Sequence, residues 1–259
     1  MNPPRRNVQR QANDKIRIPK AAELVADTLR RRIILREYEA GQVLPPEGTL
    51  MEDFDVARTT VRDAFRVLES EGLLDVRRGA GGGGRVRPPG VGMISSYAAL
   101  LLQFEGASLA EVHLGRTLIE APAAAMLAEE REDPALVGRL RAALEEEGRA
   151  KDPASLSAAE GRFHRLVVEL TGNRVLVMLS AVANHLIAEQ LSRSLQDGPG
   201  ERSKDGFATA HRAHGRLVKL VESGDAAGAE QFWRRHLESG TEYLSGGSGA
   251  PKLAADLLG

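Results

Sequence analysis

Apolar residues recur at helical spacing along most of the chain, and strand-like segments occur in one short stretch only. Between Pro19 and Arg36, the positions Leu24, Val25, Thr28, Leu29, Ile33 and Ile34 form a stripe, which predicts a first helix with Pro19 near its start. Glu39-Ala40-Gly41 interrupts the pattern. Leu44-Pro45-Pro46 then imposes an extended approach to a short second helix carrying Leu50, Met51 and Phe54. Asp55-Val56-Ala57 leaves room for a tight connection, and Arg58 to Glu71 predicts a third helix with Val61, Phe65 and Leu68 inward, stopped by Gly72. Leu73 to Arg78, a glycine run through Gly84, and Arg85 to Arg87 predict two short strands around a glycine-rich turn.

Pro88-Pro89-Gly90 marks a linker, and every pattern beyond it has the helical period. Ser108 with Glu111 reads as a capping box opening a helix that runs to about Arg131. Asp133-Pro134 and Asp152-Pro153 each place an N-cap before a proline at the first helical position. Further helices are predicted at 174–195, 203–222 and 226–244. The resulting organisation is a flexible basic tail (1–16), a domain of three helices and a hairpin (17–88), an all-helical domain (92–244) and a Gly/Ser-rich tail (245–259). The fold class is mainly α, a winged helix-turn-helix followed by a helical bundle.

Composition narrows the chemistry. Cysteine is absent, which excludes disulfides, thiol catalysis and cysteine-ligated metals. Only 4% of residues are aromatic, so the core must be aliphatic. No apolar run approaches the ~18 residues of a membrane span, and the N-terminus lacks a secretory apolar segment, so a soluble cytoplasmic protein is expected. The net charge of −1 hides an asymmetry: Met1 to Gly90 holds 17 Lys+Arg against 13 Asp+Glu, leaving 18 against 23 for the rest. A basic first third suits nucleic acid.

Three helices and a hairpin, with a tight turn between the second and third helices, describe a winged helix-turn-helix whose third helix enters the major groove. Its exposed face carries Arg58, Thr59, Thr60 and Arg62, with Arg66 a turn further on. Guanidinium groups can read guanine bidentately, and threonine hydroxyls suit phosphate or base edges. The hairpin adds Arg77 and Arg78 beside glycines that allow close backbone approach, with Arg85 and Arg87 on the returning strand. Double-stranded operator DNA is the expected partner. Two half-sites would require a homodimer.

The stretch from Leu24 to Val86, with Leu44-Pro45-Pro46-Glu47, Ala57 to Ala64 and Leu68 to Leu73, resembles the GntR family of bacterial transcription regulators. The resemblance implies that Arg58, Thr60, Arg62 and a wing glycine, taken as Gly82, contact DNA. Gly48 stands where members often carry a basic residue, which removes one expected contact.

Five of the six histidines follow residue 150. Glu160 and His164 lie four apart on one helix. His214 shares a face with Leu217, Val218 and Val221, and His236 with Phe232 and Trp233. Three imidazoles and a carboxylate on apolar faces could form a site for Zn²⁺, Ni²⁺ or Mn²⁺. His211 competes for the same role, while His113 and His185 are secondary. Arg116-x-x-x-Glu120, Phe163-His164, Gly172-Asn173 and the stretch from His214 to Leu237 resemble the all-helical FCD-type domain of the FadR subgroup. That resemblance implies the metal ligands Glu160, His164, His214 and His236, with glutamate where aspartate is usual. Arg116, with Glu120, would clamp the carboxylate of a small effector, against the alternative of a pair on the helix surface. The expected function is an effector-modulated DNA-binding regulator rather than an enzyme. Rival readings are a metal-free pocket for an acyl-CoA or other bulky ligand, a metal-dependent enzyme, and a structural nucleoid-type DNA binder.

Overall fold

The computed structural model describes residues 20–77, 83–196 and 204–244. The tails expected at 1–16 and 245–259, and the wing residues Arg78 and Gly82, lie outside the described residues. The chain divides after Gly90 into two compact units.

The first unit contains α1 (Ala21–Ile34), α2 (Glu47–Phe54), α3 (Arg58–Ser70), β1 (Leu74–Arg77) and β2 (Gly83–Val86). Helix α1 starts where the Glu23 side chain accepts from the Lys20 backbone N–H at 3.1 Å. Its inward face is Val25, Ala26, Leu29 and Ile33; Leu24 and Ile34, expected inside, are exposed, because the buried stripe is narrower than the apolar one. Helix α3 buries Val61, Ala64, Phe65 and Leu68 at the i, i+3, i+4, i+7 spacing. Between α2 and α3 the chain reverses through Asp55 in the left-handed region (φ 50°), and the Val56 N–H returns to the Met51 carbonyl at 3.1 Å. Asp tolerates that conformation better than most residues with a Cβ. Arg30 of α1 reaches Glu71 beyond α3 through two hydrogen bonds of 2.8 and 2.6 Å, which fixes the outer helix against the inner one.

Strands β1 and β2 pair antiparallel, with Leu74 opposite Val86 and Arg77 opposite Gly83. The segment before α2 adds a third edge, since Leu44 N–H donates to the Gly84 carbonyl and Val86 N–H to the Gln42 carbonyl, both at 2.8 Å. Leu44, Leu73, Leu74 and Val86 join Phe65 in one core. Gly84 sits against that core: a Cβ there would lie 3.1 Å from Leu74 and 3.2 Å from Phe65. Packing thus favours glycine here, a role distinct from the backbone approach to DNA expected of the run.

The second unit holds seven helices among the described residues: α4 (Val91–Phe104), α5 (Leu109–Glu129), α6 (Pro134–Arg149), α7 (Pro153–Glu169), α8 (Arg174–Gln196), α9 (Lys204–Ser223) and α10 (Ala226–Leu244). The caps at Ser108, Asp133 and Asp152 are formed as the sequence implies. The core is built from α5, α6, α7, α9 and α10, with Leu127, Leu140, Phe163, Val167, Leu217 and Trp233 almost wholly enclosed. Helix α5 contributes the small residues Ala121, Ala123, Ala124 and Ala128, which let neighbouring backbones approach closely. Pro122 lies inside α5 on its exposed side, so the missing backbone donor costs no core packing. A second, smaller cluster joins Ala99 of α4, Val112 of α5 and Leu186 and Ile187 of α8.

Gly84→Ala should lower the stability of the first unit by about 1–3 kcal/mol through overpacking. Gly48→Ala, in α2 with no atom near its added Cβ, should be neutral or stabilising by up to about 1 kcal/mol. Denaturant unfolding of the full chain checks the pair, and equal melting of both variants would contradict the packing role.

Candidate nucleic-acid interface and metal centre

Helix α3 turns its polar face outward. Arg58, Thr59, Arg62 and Arg66 are exposed and Thr60 is half-buried. The Arg62 Nε lies 3.1 Å from both oxygens of Glu47, and Arg58 stands 3.8 Å from the same carboxylate. Glu47, at the start of α2, thereby gathers two guanidinium groups over one spot. Arg66 pairs with Asp63 at 2.9 Å. On the hairpin, Arg77 is exposed beside Asp75, while Arg85 folds back onto the Gly41 carbonyl.

In the second unit, α7, α9 and α10 bring His164, His214 and His236 together, with one nitrogen of each within 4.8 Å of the others. The rings of His164 and His236 stack at 5.5 Å, and His214 meets each edge-on at 5.0 and 5.2 Å. Trp233 lies 4.7 Å from His236 and 4.8 Å from His164, and Phe163 stacks on His214 at 4.4 Å. An aromatic wall therefore encloses the three imidazoles. Glu160, one turn before His164 on α7, is 8% exposed but does not belong to the three-residue group.

Buried carboxylates stand behind two of the rings. Glu120, fully buried on α5, sets Oε2 at 2.8 Å from His164 Nδ1. Its Oε1 accepts from Arg116 Nε at 2.8 Å and from the Asn184 amide at 3.2 Å. Asn184 also donates to Ser180 on α8 at 3.0 Å. Glu147 of α6 sets Oε2 at 2.8 Å from His214 Nδ1 and 3.3 Å from His211 Nδ1. Burial pushes the Glu147 carboxyl up, but the hydrogen bonds and charges of His214 and His211 outweigh it and hold it below the usual carboxylate range. Burial, followed by the neighbouring His164, His214 and Arg116, pushes His236 down to about 2, so this ring is neutral, the form that binds metals. The His214 Nε2 and Trp233 Nε1 are buried with no hydrogen-bond partner among the described residues.

Of the residues singled out from the sequence, His164, His214 and His236 converge. Arg116 and Glu120 do pair, but in the interior rather than on a helix surface. His211 is 40% exposed, held by Glu147, and outside the ligand group. His113 is buried on α5 and His185 is half-buried on α8. Glu147, Asn184 and Ser180 escaped sequence reading. Glu147 sits in the run Glu145-Glu146-Glu147, which looks like a solvated face; its signal is its phase with buried Leu136 and Leu140, eleven and seven residues before it.

Two family models match, "Bacterial regulatory proteins, gntR family" over residues 21–82 and "FCD domain" over residues 111–239. The Uxu operon transcriptional regulator of Escherichia coli K12 is 34% identical over 237 residues, covering 85% of each chain. The chain belongs to the GntR family. The transcriptional repressor NanR of Citrobacter rodentium is 27% identical over 226 residues, covering 85% of this chain and 84% of that one. A solved Streptococcus agalactiae GntR structure shares the fold at a TM-score of 0.57 and 24% identity, covering 84% of this chain and 98% of the other. This GntR protein is thus a DNA-binding transcriptional regulator with an FCD domain, and its relatives are regulators rather than enzymes. Among the described residues, no helix is long and apolar enough to cross a membrane.

Burial, followed by the Arg116 charge, lowers the His113 imidazole from 6.5 to about 4. The unfolded chain takes up this proton below about pH 6.5 while the folded chain does not, so stability is lost as pH falls from there towards 4. In metal-free protein, His113→Leu should shrink the stability difference between pH 7 and pH 4.5 by about 2–3 kcal/mol. Urea unfolding at the two pH values measures it, and an unchanged difference would refute it.

Proposed function

We propose that this regulator is controlled through a divalent cation held by His164, His214 and His236, with Glu160 as a fourth ligand, and through a small carboxylate effector beside it. The observation that carries this reading is the convergence of three imidazole nitrogens, two of them on rings held from behind by buried carboxylates. The residues fit such an ion. The buried His214 Nε2 has no hydrogen-bond partner among the described residues, so a cation would satisfy it, with Glu147 holding the same ring through Nδ1. Nitrogen donors with one carboxylate suit Zn²⁺, Ni²⁺ or Mn²⁺. When bound, the ion supplies a positive centre for an anionic effector. Arg116, 14% exposed and anchored through Nε by Glu120, would offer its remaining fork of N–H groups to the effector carboxylate.

Operator contact is assigned to Arg58, Thr59, Thr60, Arg62 and Arg66 on α3 and to the wing, including Arg77, Arg78 and Gly82. Effector binding would shift the regulator between two arrangements only as far as its affinities for them differ. Reading two half-sites calls for a homodimer, and α4 offers a surface for one. This helix carries no charged residue, and Ile94, Tyr97, Leu100, Leu101 and Phe104 form an outward stripe, with Phe104 87% exposed. Covering that stripe would remove on the order of 500 Å² per chain, more than half of the ~800 Å² per partner of a stable interface. A second copy of the chain is the occupant proposed, and it supplies the twofold repeat that DNA requires.

After chelation and dialysis, the protein should take up about one Ni²⁺ or Zn²⁺ per chain by calorimetry, and His164→Ala with His214→Ala should abolish uptake. A carboxylic acid that changes operator affinity should act on the loaded protein and lose its effect in Arg116→Ala. Arg58→Ala with Arg62→Ala should weaken operator binding by about tenfold or more for each base contact removed. Absence of metal uptake would overturn the cation reading. For the interface, Leu101→Glu with Phe104→Glu should convert a dimer to a monomer in sedimentation, and a wild-type monomer at micromolar concentration would refute the assignment.

A further inference from the structure

The run Glu145-Glu146-Glu147 contains three glutamates with different fates. Glu145 pairs with Arg149 at 3.0 Å and Glu146 with Arg162 at 2.6 Å, both at the surface. Glu147 turns inward, is 4% exposed, and presents one oxygen to two imidazoles of α9. His211 and His214 lie three residues apart on that helix, so a single carboxylate oxygen can receive an N–H from each. An ionised carboxylate only accepts, so the 2.8 Å contact to His214 Nδ1 favours the proton on Nδ1, and Nε2 has no hydrogen-bond partner among the described residues. The arrangement repeats Glu120 and His164, where Nδ1 also faces a buried carboxylate. The two carboxylates come from α5 and α6, which bear none of the three grouped imidazoles.

His211 holds Glu147 from the solvent side, and its ring has room because residue 148 is glycine. A Cβ at Gly148 would stand 3.3 Å from His211 Cε1 and 3.5 Å from its Nε2. Glu147, His211 and Gly148 thus form one packed unit behind His214.

We propose that Glu147 is a positioning residue for the metal centre: held by His211, it fixes the tautomer and direction of His214, so that Nε2 is available to the ion. This rests on the cation reading above. It also gives His211 a role other than that of a rival ligand. A carboxylate hydrogen-bonded behind a ligating histidine raises the ring's basicity, and its loss typically costs about 10–100-fold in metal affinity.

The test is titration of Co²⁺ and Zn²⁺ into the full chain, comparing wild type with Glu147→Gln, Glu147→Ala and His211→Ala. Glu146→Gln, an equal change of charge next door without the contact, serves as the control. Glu147→Gln should bind about tenfold more weakly and Glu147→Ala up to about 100-fold more weakly, with altered visible absorption of bound Co²⁺. His211→Ala should keep one ion per chain, and Glu146→Gln should match wild type. A second measurement needs no metal: imidazole nitrogen spectra should show His214 protonated on Nδ1 in the wild type, and a shift in that tautomer balance in Glu147→Gln. Wild-type affinity and an unchanged cobalt spectrum in Glu147→Gln would overturn the positioning role while leaving the metal reading intact. A wild-type chain that takes up no ion would overturn both.

Discussion

The second unit depends on how two negative charges are kept inside a helical core. Glu120 is wholly enclosed, and an unpaired carboxylate there would carry a penalty of several kcal/mol. Arg116, His164 and Asn184 meet it from α5, α7 and α8. This one side chain therefore sets the relative placement of three helices and the direction of one imidazole. Its companion Glu147 does the same between α6 and α9. The aliphatic core supplies most of the cohesion, but aliphatic packing has little direction. The carboxylates supply the direction, and the histidine group follows from it.

The winged domain shows a different balance. Its core is a small set of leucines, valines and one phenylalanine, and its polar chemistry lies outside. The glycine run also meets a packing demand, since Gly84 has a core on one side and a side chain there would press on Leu74 and Phe65. Close packing at the base of the hairpin is thus met by a residue type that the sequence alone reads only as a turn former.

Much of this was legible in the residues because the signals were local. Caps at Ser108, Asp133 and Asp152, prolines at first helical positions and the α3 stripe each report on a few neighbouring residues, and all formed. The inward phase of His164, His214 and His236 was visible in the same way. What the sequence could not disclose was the partner behind each ring, because Glu120 is 44 residues from His164 and Glu147 is 67 from His214. Charge alone was ambiguous: Arg116 and Glu120 read equally as a clamp or as a surface pair, and Glu147 drew no reading at all. Their phase with the buried stripe carried the missing information. Leu24 and Ile34 erred in the other direction, being apolar yet outside the arc that α1 buries.

The position of Glu47 bears on how the recognition helix meets its target. Because this carboxylate already neutralises part of the charge on Arg58 and Arg62, it acts as a built-in counterion. If the operator contacts proposed for Arg58 and Arg62 form, the duplex must displace this tethered carboxylate first, so part of each contact's gain offsets the pair that is lost. The salt dependence would still follow the phosphates neutralised, while the net affinity from these two groups would be smaller than their number suggests. The same tether lowers the attraction to arbitrary sequence, which leaves discrimination to depend more on base edges than on bulk charge.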